Sequence, residues 1–111
     1  MPPYVPEKGD YITVTFDPQS GHEQKGRRPA IVVSNDLFAR HTGLAIVCPI
    51  TSTDRGYPFH VAITDEPKVT GFAMVEQVKS IDFSARGARK VAHATNEVLD
   101  EVLSILDACV Y

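Results

Sequence analysis

The apolar residues of this chain come in short, β-branched runs, and only its C-terminal stretch carries a helical period. That pattern leaves room for little besides a small sheet of many short strands with a helix set against it. From Asp10 to Phe16 the residues alternate. Tyr11, Thr13 and Thr15 face one way and Ile12, Val14 and Phe16 the other, as in a half-buried strand. Asp17-Pro18 ends it, because proline lacks a ladder donor. Ala30–Ser34 and Leu44–Ile50 predict buried strands. Between them Asn35-Asp36 caps a short helical turn over Leu37–Arg40, which Gly43 breaks. Phe59–Ile63 predicts a strand that pairs back, Gly71–Val78 with Ile81 a further strand region, and Lys90–His93 a short last strand.

Thr95 is placed to cap a helix from Asn96 to about Cys109. Val98, Leu99, Val102, Leu103, Leu106 and Cys109 fall on one face of it, and Glu97, Asp100, Glu101 and Asp107 on the other. Such a helix closes the open end of a barrel or docks on a partner. The 111 residues suffice for one core, so a single domain over 1–111 is expected. Its architecture is a strongly bent sheet or barrel with a helix packed against it.

The net charge of −3 argues against general affinity for duplex DNA, which rests on many phosphate contacts. A local cationic groove remains open to it. Lys25, Arg27 and Arg28 form one basic cluster, and Arg86, Arg89 and Lys90 another, with Arg55 and Lys79 between. The carboxylates gather elsewhere, at Asp65-Glu66 and along Glu97–Asp107. No apolar run is long enough to cross a bilayer, and Met1–Pro6 shows no secretory pattern. Cys48 and Cys109 are expected as buried free thiols, which suits a reducing cytoplasm. His22, His41, His60 and His93 have no metal-ligand spacing, so neither metal nor cofactor is expected.

The chemistry concentrates in the loop Asp17–Arg28, above all in Gly21–Pro29 (GHEQKGRRP). Its glycines let backbone approach a ligand closely. Arginine presents a planar fork of donors that fits a phosphate. A carboxylate beside that fork can act as a base while the cation stabilises developing charge. Phosphoester chemistry follows, with nucleic acid as the obvious phosphoester; the alternative is an ordinary solvated loop.

Further stretches fall in order along the chain: Gly9-Asp10, Phe16-Asp-Pro18, Val33-Ser34, Thr42-Gly43, Pro49-Ile-Thr51, Gly56-Tyr-Pro-Phe59, Gln77-Val-Lys-Ser-Ile81 and Arg86. With Gly21–Ala30, these make the chain resemble the MazF/PemK-type toxins, the endoribonucleases of type II toxin–antitoxin pairs. The resemblance implies a mainly β fold, an SH3-like β-barrel with a C-terminal helix, working as a homodimer or in a higher toxin–antitoxin assembly. It implies metal-independent cleavage of single-stranded RNA at short sequence motifs. There the 2′-hydroxyl attacks the adjacent phosphorus and leaves a 2′,3′-cyclic phosphate and a 5′-hydroxyl. It implies an acidic, MazE-like antitoxin that blocks the RNA groove.

Under this resemblance Arg28 matches the catalytic arginine and Thr51 the active-site threonine, while Glu23 is the candidate general base or the group that holds Arg28 in place. His22 is expected as an RNA contact or a solvated loop residue, not as a catalyst. Gln24, Lys25, Arg27 and Arg55 are expected along the RNA groove, with Lys79, Ser80 and Arg86. Glu76 stands where relatives often carry aspartate; if it reads a base edge, its longer side chain alters the preferred cut. Tyr57 and Phe59 either stack on bases or pack the turn. Two other functions compete. A CcdB-like gyrase-binding toxin shares the fold but relies on a C-terminal Trp-Gly-Ile, whereas this chain ends Cys109-Val-Tyr111 and has no tryptophan. A non-catalytic SH3-like module would bind RNA or protein without turnover.

Overall fold

The computed structural model describes residues 3–16 and 26–111. In chain order these form β1 (Asp10–Thr15), β2 (Arg27–Val32), α1 (Asp36–Thr42), β3 (Leu44–Thr51), β4 (His60–Ala62) and β5 (Phe72–Met74). A 3-10 turn (Val75–Gln77), β6 (Lys79–Asp82), β7 (Arg89–His93) and α2 (Asn96–Val110) follow. The seven strands make one antiparallel sheet in the order β4-β5-β3-β2-β1-β7, with β6 paired to β3 off that path.

The long strand β3 is where the sheet divides. One of its edges pairs with β2, and the other is divided. Leu44–Val47 pair with β6, while Ile50 and Thr51 pair with β5. The 3-10 turn joins the two partners and buries Val75 completely as it does so. The strand region expected over Gly71–Val78 is therefore two elements with a turn between them. Between Tyr11 and Ile12 the register of β1 against β7 shifts, a bulge that adds local twist.

Alternate residues feed two cores. Ile12, Val14, Ala30, Val32, Ala45 and Val47 point to one side, where Ile81 joins them. Tyr11, Ile31, Cys48 and Ile50 point to the other side, against Val98, Leu99 and Val102 of α2. Both faces of the central strands are thus covered, which is why Ala30–Val33 and Leu44–Ile50 carry so few polar residues. The start of β1 is not half-buried as its alternation suggests: Tyr11 is fully buried, with its hydroxyl donating to Asp65 Oδ1 at 2.7 Å.

The helices end where their residues say they should. Asn35 Oδ1 accepts the Phe38 N–H at 2.8 Å to open α1, and Gly43, at φ 72°, closes it. Thr95 caps α2 through Val98 N–H. Cys48 is buried, and burial pushes its thiol up to about 12. Cys109 is exposed, contrary to expectation, because only the first half of α2 is buried against the sheet and its last turn is exposed.

Asp10 is fully buried at the start of β1. Its carboxylate accepts from the Tyr4 hydroxyl, from Glu7 N–H at 3.1 Å and from His93 Nδ1 at 2.8 Å, with Lys90 Nζ 3.5 Å away. Burial alone would push this carboxyl up; the bonds from Tyr4, His93 and Glu7, with the charge of Lys90, outweigh it and hold the group below the usual carboxylate range. The cluster ties the N-terminal segment to the outer strand β7.

Candidate active site

The strand β2 begins earlier than its apolar residues indicate. Arg27 and Arg28, expected at the end of a loop, are its first two residues. Successive strand residues point to opposite faces, so the two arginines part company. Arg27 is strapped down: its Nη2 donates to Thr13 O at 3.0 Å, Thr13 Oγ1 at 2.9 Å and Gly87 O at 2.9 Å. Arg28 is exposed on the other side.

The register between β2 and β3 puts Ala30 opposite Pro49. Continued by two residues, it puts Arg28 opposite Thr51, with the two side chains on one face. They form the common wall of two adjoining hollows. One, of about 400 Å³, is also lined by Ser52, Thr53, Lys68 and Thr70. The other, of about 370 Å³, is also lined by Arg55, Tyr57, His60, Glu76 and Gln77. The Thr51 hydroxyl accepts from Thr53 N–H at 3.2 Å and keeps its own hydrogen for donation. Gly71 holds Thr51 from behind: at φ 124°, a Cβ on it would sit 2.1 Å from the Thr51 carbonyl oxygen.

The arrangement suits an anion running across both hollows. Arg28 stands at the centre, with Arg55 on one flank and Lys68 on the other. A fork of guanidinium donors and a hydroxyl donor side by side can hold two oxygens of one phosphate. The turn carrying Arg55 is shaped by Asp54, whose Oδ1 accepts the Gly56 N–H at 2.9 Å.

The remaining expected site residues fall in three groups. Glu23, His22, Gln24 and Lys25 lie outside the described residues. Glu76 and Arg55 line the second hollow with Arg28 and Thr51. The others line neither hollow. Arg86 donates from Nη1 to Thr15 O at 3.1 Å and Phe16 O at 2.5 Å, Lys79 Nζ lies 5.0 Å from the centroid of the Phe16 ring, and Ser80 is exposed on β6. Tyr57 stands on the wall of the second hollow and is 51% exposed, whereas Phe59 does not line it.

Sequence reasoning missed His60, Lys68 and Thr70. His60 gave no metal spacing and stands in an apolar strand; Lys68 and Thr70 stand in a turn that nothing in its composition distinguishes from others. Only the pairing of β5 with the end of β3 brings them beside Thr51. Among the described residues no group of three or more His, Cys, Asp or Glu side chains is placed to hold a metal, and no helix is long and apolar enough to cross a membrane.

Most of the chain has counterparts among known proteins. Residues 7–110 match the family model described as PemK-like, MazF-like toxin of type II toxin–antitoxin system. The endoribonuclease toxin MazF of Escherichia coli is 44% identical over 96 residues, spanning 86% of each chain. Among solved structures, MazF from Deinococcus radiodurans superimposes with a TM-score of 0.86 at 40% identity, covering 97% of this chain and 98% of that one. A MazE–MazF complex from the same organism gives 0.87 at 37% identity, with 96% and 97% covered.

Proposed function

The chain belongs to the PemK-like, MazF-like toxin family of type II toxin–antitoxin systems, and from that premise we propose that it is an endoribonuclease toxin acting on single-stranded RNA. The observation that carries this reading is the pairing of Arg28 with Thr51 on the shared wall of two polar hollows. The scissile phosphate lies against these two side chains. The substrate's own 2′-hydroxyl gives up its proton and attacks the phosphorus; the bond from phosphorus to the 5′-oxygen breaks, that oxygen takes up a proton with Arg28 assisting the transfer, and the ends are a 2′,3′-cyclic phosphate and a 5′-hydroxyl. Arg28 stabilises the extra negative charge of the phosphorane, and Thr51 donates to one of its oxygens. Glu23 takes the 2′-proton or holds Arg28. The reaction needs no metal, because the attacking group is intramolecular and the charge meets a fixed cation.

The chain works as a homodimer in the cytoplasm, where its RNA is. A MazE-like acidic antitoxin lies across the same groove, with its carboxylates against Arg28, Arg55 and Lys68 and folding as it binds. The gyrase-poison reading is not favoured, because the similar curated proteins are named endoribonucleases, and the silent-module reading leaves the Arg28–Thr51 pair without a task.

The test is to incubate the protein with a long single-stranded RNA in excess chelator and to determine the chemistry of the new ends. Cyclic phosphates and 5′-hydroxyls are expected. Ends bearing 3′-hydroxyls, or cleavage only when a divalent ion is restored, would overturn the mechanism.

A further inference from the structure

The hollow shared by Arg28, Arg55 and Glu76 contains one group with no part in phosphate chemistry. His60 stands in β4 with its side chain 3% exposed, and its Nε2 lies 3.0 Å from Glu76 Oε2. A carboxylate offers only acceptors, so the ring nitrogen facing it is the donor. The other nitrogen, Nδ1, is buried and has no hydrogen-bond partner among the described residues. Burying an unmatched ring nitrogen is destabilising, and an apolar side chain at this position would avoid it. Among the described residues, the one polar contact that the imidazole makes is with Glu76.

Of the two partners, the histidine is the rigid one. Its ring is enclosed, and Tyr57 packs against it with centroids 5.0 Å apart and planes tilted by 58°. The Glu76 side chain is 31% exposed on the 3-10 turn. With Oε2 tied to the ring, the carboxylate has a set direction on the wall of the hollow, and its other oxygen remains an acceptor for a ligand. Tyr57, half exposed on the same wall, presents a ring of the kind on which unstacked RNA bases rest.

We propose that His60 is a positioning residue that aims Glu76 at the base beside the scissile phosphate, so that this hollow selects a base carrying an amino group. Adenine, cytosine and guanine each offer amino hydrogens that a carboxylate accepts. Uracil offers a single ring N–H between two carbonyl oxygens, which the carboxylate repels. This deepens the reading that Arg28 and Thr51 hold an RNA phosphate and rests upon it.

Cleavage of a random-sequence single-stranded RNA pool, with every new end mapped, tests it. The unmutated protein is expected to cut preferentially beside amino-bearing bases, and the ratio of kcat/KM for those sites to that for uracil sites is the readout. In His60→Leu that ratio should fall roughly tenfold to a hundredfold, the range set by losing one well-directed base contact. His60→Gln, which keeps an N–H donor of similar reach, should restore much of it. Glu76→Gln, which replaces one acceptor with a donor, should move the preference to a different base. If His60→Leu fails to show a cooperative thermal transition, Glu76→Gln decides alone, since its side chain is not part of the core. A ratio unchanged in Glu76→Gln, or equal slowing at all sites in a folded His60→Leu, overturns the proposal. Absence of any cutting by the unmutated protein overturns this proposal and the nuclease reading together, whereas cutting with an unaltered ratio in the variants overturns this proposal alone.

Discussion

Adjacent arginines in β2 show how much one residue of offset decides. Arg27 spends its guanidinium on Thr13 and Gly87 and fastens β2 to its neighbours, while Arg28 emerges on the opposite face beside Thr51. Removing them should therefore have opposite consequences. Arg28→Ala should lower the RNA cleavage rate by about 100- to 1000-fold, the usual loss for one donor to a transition-state oxyanion, and leave the melting temperature nearly unchanged. Single-turnover kinetics beside a thermal melt check both halves. Asp10 gives a stability prediction of a different kind. Its folded carboxyl is held below the ordinary range, and so is that of Asp65, where burial pushes up but bonds from Tyr11 and Thr95 prevail. A depressed folded value means stability present above the unfolded pKa of about 4 and lost as pH falls through it toward the folded value. The melting temperature should drop as the pH is lowered from about 5 to about 2. Asp10→Asn should be less stable near neutrality by about 1–3 kcal/mol, since an amide cannot satisfy three donors, and should lose less on acidification. Equal acid sensitivity in the two proteins would assign the effect to other carboxyls.

Elements bring these residues into register. The catalytic candidate Thr51 is the last residue of β3 and stays in place because β5 pairs with it through Phe72, with Gly71 pressed against its carbonyl. Gly71→Ala should disturb this junction severely: the added Cβ would lie 2.1 Å from backbone oxygen, and φ 124° is closed to alanine. Gly43→Ala is the control. It has φ 72° but nothing within 4 Å of its Cβ, so its cost is that of the left-handed conformation alone, about 1–2 kcal/mol. Denaturant melts should rank Gly71→Ala well above Gly43→Ala in cost, and only Gly71→Ala should also slow RNA cleavage in the fraction that folds. The helices needed no such help to be recognised. Asn35, Gly43 and Thr95 are local signals that act within one turn, and they mark α1 and α2 in sequence as they do in the structure. The split of residues 71–81 into β5, a 3-10 turn and β6 was not legible, because it depends on where β3 offers an edge.

On the scale of the molecule, an acidic chain presents positive charge by local arrangement and not by total charge. The net charge is −3, yet Arg28, Arg55 and Lys68 flank adjoining hollows. RNA affinity should therefore fall with salt, but gently. For single strands each neutralised phosphate contributes about −0.7 to the slope of log K against log salt, so three cations predict a slope near −2 per subunit. Titration of the unmutated protein with 2′-O-methylated RNA, which has no free 2′-hydroxyl and is not cut, measures it; a slope several times steeper would mean that cations elsewhere, such as Arg89 and Lys90, also carry the strand. The sequence by itself determined the alternating strands, the capped helices and, through ordered stretches such as Gly21–Ala30 and Pro49–Thr51, the family. These are properties of neighbours in the chain, where period, caps and turn residues act over a few positions. Only the tertiary structure decided that Arg27 anchors while Arg28 is presented, that Cys109 is exposed, and that His60 meets Glu76 from another element. Those outcomes depend on which strand edges meet and which faces are left uncovered, and a linear pattern does not carry that information.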